Sequence, residues 1–187
     1  MQKTLDIALK EWSLVCDALL SGAQSILLRK GGIYESAGEF ELEHSQFLLY
    51  PTFAHQNPNM VKPAWRPFIQ PCRQEPKVLS IAGWASVHWI SLVPGRRAFD
   101  QLSDIHLWDK PLIDKRFSYR PDYPLYVLVL RAWRLPQPRE LSVHEDYAGC
   151  RSWVPLQAPV AIDGSRPAGP PEAVEEIKER IRRVFGT

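Results

Sequence analysis

Seventeen prolines punctuate this chain of 187 residues. Each one fixes φ and removes an amide hydrogen, so helix interiors and central strands are expected to lie between them. Phe47 to Tyr50 forms a short apolar run that Pro51 ends. From Asn57 to Pro76 five prolines alternate with polar and aromatic residues, which predicts an ordered, irregular loop packed by Trp65 and Phe68. Val78 to Leu92 reads as one long or two shorter strands around Gly83. Pro94-Gly95 separates it from a short helix over Arg97 to Ile105, with Phe99, Leu102 and Ile105 on one face. Tyr126 to Leu130 has the β-rich composition of a buried central strand. Arg131, Trp133 and Leu135 extend it up to Pro136 and Pro138.

At the N-terminus, Leu5, Ala8, Leu9, Trp12, Val15, Cys16 and Leu19 recur at steps of three and four, opposite Asp6, Lys10, Ser13 and Asp17. This spacing predicts an amphipathic helix over residues 5 to 20, with Thr4 as N-cap and Gly22 as its left-handed end. Ser25 to Leu28, a Gly31-Gly32 turn and the alternation Glu39 to Glu43 predict strand, turn, strand. Trp153-Val154 reads as a last short strand. Pro159 to Pro171 reads as a linker. Val174, Ile177, Ile181, Val184 and Phe185 fall at helical spacing, with acids early and cations late, an order that complements the helix dipole. The expected architecture is α+β: a curved or barrel-like, mostly antiparallel sheet with flanking N- and C-terminal helices. The expected division is a single domain over 1–158, a Pro/Gly-rich linker over 159–171 and a C-terminal helix over 172–187.

With 45% hydrophobic and 24% charged residues the chain is globular, and a net charge of +2 excludes a polybasic protein. No apolar run approaches the roughly 20 residues that span a bilayer, and Asp6 stands where a signal peptide would be apolar. Cys16, Cys72 and Cys150 are odd in number and lack metal spacing, which predicts reduced thiols and a cytoplasmic setting. The charge is uneven. Residues 60–139 carry 13 basic and 6 acidic groups, while both flanking segments are net acidic. Within that segment cations adjoin rings at Trp65-Arg66, Arg116-Phe117, Tyr119-Arg120 and around Trp133. Such interleaving suits nucleic acid, because cations neutralise phosphates and rings stack on bases. Snorkelling at core edges gives the same pattern.

Several strings together carry a resemblance: Ala8-Leu9-Lys10-Glu11-Trp12, Ile26 to Ile33, Phe40-Glu41-Leu42-Glu43-His44, Phe47 to Thr52, His55-Gln56 and Gly149-Cys150-Arg151-Ser152-Trp153. Over residues 5 to 156 the sequence resembles the bacterial family called domain of unknown function 1802. Some members are joined to a restriction-endonuclease-like domain, so the resemblance implies service in DNA restriction or defence, with restriction-system proteins as partners. Leu20 to Arg29 is similar to the opening of ASCH domains in the PUA-like group, small β-barrels that bind RNA or modified bases. Gln24 stands near the place of that group's usual lysine.

Candidate ligand residues follow. Arg29-Lys30-Gly31-Gly32 offers cations and turn amides to an anion, or is a plain hairpin tip. Glu43, His44, Thr52, His55 and Gln56 gather at the ends of the Phe47 to Thr52 run, where they are either plain strand-end caps or a shared polar rim with both histidines facing one pocket. Trp84 and Trp89 point to opposite sides of their strand, so one can face a cleft as a base-stacking platform, or both are core, and Arg29, Arg131 and Trp133 are expected to share one concave surface. Cys150, with His144 and Tyr147 upstream, is either a buried thiol or a nucleophile. Neither Glu75-Pro76-Lys77 nor Glu176-Ile177-Lys178 fits a metal-dependent nuclease. The expected function is binding of DNA, RNA or a modified nucleotide, with no cofactor, no metal and no membrane. An enzyme using the histidine rim and a protein-interaction module with a basic face are the alternatives.

Overall fold

A computed structural model describes residues 3–30, 35–36, 39–40, 43–70, 72, 74–147 and 152–187. The chain runs β1 (Thr4–Trp12), α1 (Ser13–Ser21), β2 (Ile26–Lys30), β3 (Glu35–Ser36), β4 (Glu39–Phe40), β5 (Gln46–Thr52) and β6 (Val78–Leu92). It continues through α2 (Arg96–Asp100), α3 (Lys110–Ser118), β7 (Leu125–Ser142), β8 (Trp153–Ala161), β9 (Arg166–Pro167) and α4 (Pro171–Phe185). The main sheet has the order β2-β7-β6-β5-β1-β8, with β9 added to β7, and β3 pairs β4 separately. All pairings are antiparallel except β1 with β5. This is the expected α+β class, as an open sheet.

The first element differs from the expectation. Residues 4–12 form a strand, and the helix begins only at Ser13. The reason is burial on two faces: Leu9 joins one core cluster while Leu5 and Ala8 join the other. A strand held between β5 and β8 buries neighbouring residues such as Ala8 and Leu9 on opposite faces, a register shift between Leu5 and Ile7 brings Leu5 to the side of Ala8, and the spacing of 5, 8 and 9 then imitates a helix. Thr4 therefore caps nothing. The first turn of α1 is satisfied from a distance by Gln56, whose side-chain oxygen accepts from the Leu14 amide at 3.2 Å and whose amide donates to Ser13 Oγ at 2.9 Å. Gly22 does end α1 in the left-handed region, φ 76°.

Prolines sit where the ladder has room for them. Pro51 does not end β5 but lies within it, opposite Glu11 of β1. Beyond Leu48 the registered pairing of β5 with β6 has stopped, so an absent amide costs little there. Pro136 and Pro138 lie in a bulge of β7, between the pairs Gly83–Arg134 and Ile81–Arg139. Pro155 is on β8, which stands at the end of the strand order, with one edge free of partners among the described residues. Residues 159–171, read as a linker, contain the end of β8 and the whole of β9.

Alternation along β5 sends Phe47 and Leu49 to one core cluster and Leu48 and Tyr50 to the other. The first cluster is covered by α1 and by Val174 and Ile181 of α4; the second holds Trp84, Tyr147, Leu156 and Ile162. Val127, Leu128 and Val129 of β7 have no exposed surface, as a central strand with β2 and β6 on its two sides should.

Candidate nucleic-acid interface

Helix α3 was not expected from periodicity, yet its start is written in Asp109-Lys110-Pro111. The Asp109 carboxylate accepts from the Lys110 amide at 2.8 Å, and proline stands in the first turn. Leu112 and Ile113 anchor the helix in the core. Lys30, at the end of β2, donates to the Phe117 carbonyl at 2.9 Å and ties the last turn to the sheet. Opposite lies the chain that leaves β5. His55 is left-handed, φ 72°, and Asn57 caps a single 3-10 turn by accepting from the Asn59 amide at 2.9 Å.

Between these segments is a cleft of about 470 Å³ lined by Trp12, His55, Asn57, Met60, Leu112, Lys115, Arg116 and Tyr119. Nearby cations are spent on carboxylates: Arg66 meets Asp109 at 3.3 Å, Lys110 meets Asp114 at 2.7 Å, and Arg96 pairs with Asp100 and Asp114. Among the described residues, neither Lys115 nor Arg116 has an acidic partner. Tyr119 is 52% exposed. The cleft therefore combines unneutralised positive charge with accessible rings.

Beside Trp12 the structure holds a largely buried ion pair. Arg29 meets Glu11 at 2.9 Å, with 11% and 10% of the two side chains exposed. Arg29 also donates to the Lys10 carbonyl at 3.2 Å, the second Glu11 oxygen accepts from the Trp12 amide, and Thr52 Oγ1 donates to the Glu11 carbonyl at 3.0 Å. Burial lowers the Arg29 pKa; Glu11 opposes that shift and Arg116 adds to it. Cys16 lies nearby, and burial pushes its thiol well up, with the Glu11 charge adding to the effect.

The candidate residues are distributed over several places. His55 lines the cleft, whereas His44 lies 3.5 Å from Glu43, packs edge-on against Trp153 and lines a separate hollow with Asp6 and Gln46. The expected shared rim does not form, because β5 continues through Pro51 and its seven residues hold the two ends roughly 20 Å apart. Gln56 is the α1 cap and Thr52 a strand tie. Trp84 is a core residue, 4% exposed, stacked at 4.1 Å on Trp133 with its indole donating to Ser165 Oγ at 3.0 Å. Arg131 and Trp133 line a second cavity, away from the Arg29 pair. The three do not share a surface, since Arg29 pairs with Tyr126 at one end of β7 and Arg131 stands five residues further along it. Gly31, Gly32 and Cys150 lie outside the described residues. Arg116-Phe117 and Tyr119-Arg120, singled out by cation–ring interleaving, are the signal that leads to α3.

Fold and cleft define an α+β protein on a mostly antiparallel sheet, with a basic, ring-lined cleft beside one helix. Over residues 8–180 the chain matches the family described as Domain of unknown function (DUF1802), and it belongs to that family. No curated protein matches it. Among solved structures it is similar to the crystal structure of ASCH from Zymomonas mobilis, with 15% identity over 92% of this chain and 93% of that chain and a TM-score of 0.44. A point-mutant form of that protein gives 14% identity, 93% and 94% coverage and the same TM-score. No helix among the described residues is long and apolar enough to cross a membrane.

Proposed function

We propose that this protein binds single-stranded nucleic acid or a nucleotide in the cleft beside α3. The observation that carries the reading is the pair Lys115 and Arg116, without acidic partners among the described residues and lining one cleft with Trp12, His55 and Tyr119. Cations there would hold phosphate while rings stack on bases, and a volume of about 470 Å³ falls in the range of ligand pockets, roughly 300–1,000 Å³. The surplus of basic residues over 60–139 would favour the approach of a polyanion. The reading places this binding in a cytoplasmic setting, as recognition rather than cutting in a restriction or defence system, the role that the family resemblance implies. Anisotropy of labelled 12-nucleotide DNA and RNA at low salt is the test. Binding that falls at least tenfold in K115A/R116A supports the reading; equal affinity in the variant, or no binding by the parent, overturns it.

A further inference from the structure

One edge of β7 is shared by two partners with a gap between them. β2 pairs as far as Val129, with the Leu130 amide donating to the Ser25 carbonyl at 2.8 Å, and β9 takes over at Trp133. Arg131 stands in the notch. On the far side the Ala168 amide donates to the Ala132 carbonyl at 2.9 Å and pins the segment that leads into α4. The notch encloses a cavity of about 160 Å³ lined by Arg131 and Trp133 together with apolar groups such as Leu19, Leu130, Pro170 and Val174.

Two features give this cavity a chemistry. Arg131 has no hydrogen-bond or ion-pair partner among the described residues; its Nε is shut off from solvent, so its two terminal nitrogens are the donors that a ligand in the cavity can reach. A desolvated donor left unmade is costly, and a planar fork matches two adjacent acceptors best. The volume also sets a size. An apolar cavity of about 150 Å³ accepts one benzene ring, so a whole nucleotide does not fit here and a single six-membered ring does. Trp133 also lines the cavity, and its ring is fixed by a parallel stack on Trp84, 4.1 Å between centroids.

We infer that the notch between β2 and β9 binds one planar six-membered ring bearing two adjacent acceptors, recognised by Arg131 and Trp133. Two sources carry that chemistry: the N3/O2 edge of a cytosine base and the carboxylate of an aromatic acid. Thymine is refused, because its N3–H sets a donor against the donors of the guanidinium. The cytosine arm rests on the nucleic-acid reading above; the aromatic-acid arm does not.

The test is saturation-transfer NMR on the full chain with cytidine, thymidine and benzoate as probes, followed by anisotropy with oligo(dC) and oligo(dT). Transfer to cytidine and benzoate, with thymidine weaker by about tenfold, supports the inference. Transfer to benzoate alone supports it with a free aromatic acid as source. R131M must remove the signals. A173L, which narrows the cavity from the α4 side and keeps the Arg131 guanidinium, must weaken them and so guards against a folding defect in R131M. Silence of both cytidine and benzoate, equal thymidine transfer, or full signals in R131M overturns it. If benzoate binds while no oligonucleotide does, the α3 cleft reading fails and the aromatic-acid arm of this one stands; oligonucleotide binding that depends on Lys115 and Arg116, with cytidine and benzoate both silent, gives the converse.

Discussion

At the residue scale, several buried polar groups fasten the fold. Gln24 is fully committed: its amide donates to the Ile26 carbonyl at 2.8 Å and its oxygen accepts from the Leu107 amide at 2.9 Å. The position that the ASCH-like resemblance marks for a lysine is thus a brace between the α1–β2 turn and the segment before α3. Arg29 is committed as well. R29A strands the Glu11 carboxylate in a buried setting and is expected to cost about 3–5 kcal/mol, whereas the double variant R29M/E11L, which removes both charges, recovers most of that loss in urea melts. His106 sets a pH dependence. It is 5% exposed, stacked on Phe99, and burial, with the Lys62 charge adding to it, pushes its pKa down to about 4. The unfolded chain, with a histidine pKa near 6.5, binds the proton first. Its contribution to stability is therefore complete above about pH 6.5 and shrinks as pH falls toward 4, by roughly 3 kcal/mol in all. Melting temperatures of the parent and of H106F between pH 7 and pH 4 check this; the variant is expected to lose less over that interval.

Elements are placed by pairing that local propensity does not specify. β6 can pass α1 closely only because residue 83 lacks a side chain: a Cβ there would stand 2.3 Å from both Leu20 Cδ2 and the Trp133 carbonyl oxygen. The leucine can turn away and the backbone oxygen cannot. G83A is thus expected to destabilise by about 2–4 kcal/mol, as overpacking against a fixed neighbour does, and to part the Gly83–Arg134 pair at the bulge, which amide exchange on β7 would register. The short helix expected over Arg97 to Ile105 is α2 followed by a 3-10 turn at Ser103–Ile105, with Phe99, Leu102 and Ile105 buried as their spacing required. The Trp153-Val154 strand runs on to Ala161 through two prolines, which position at the sheet edge permits and sequence alone would forbid.

For the whole molecule, unpaired charge gathers at this cleft because its neighbours Arg66, Arg96 and Lys110 are held by carboxylates while, among the described residues, Lys115 and Arg116 are not. K115A/R116A should lower the salt dependence of oligonucleotide binding as well as the affinity. Two lost phosphate contacts reduce the slope of log K against log salt by about 1.4 for a single strand, measurable as anisotropy titrations across a fourfold range of salt. An unchanged slope would place the phosphates elsewhere. Composition and pattern by themselves determined the α+β class, the antiparallel character, the strands at Val78–Leu92 and Tyr126–Leu130, the C-terminal helix and the basic, ring-rich middle. These are local in cause: period, proline and charge act within a few residues. Tertiary structure alone decided that residues 4–12 are a strand, because burial on both faces copies helical spacing, and that Gln56 rather than Thr4 caps α1. It also decided which cations are paired: the pairing of Arg29 with Glu11, and the notch that leaves Arg131 without an acceptor among the described residues, arise where segments far apart in the chain meet, and no local pattern encodes such meetings.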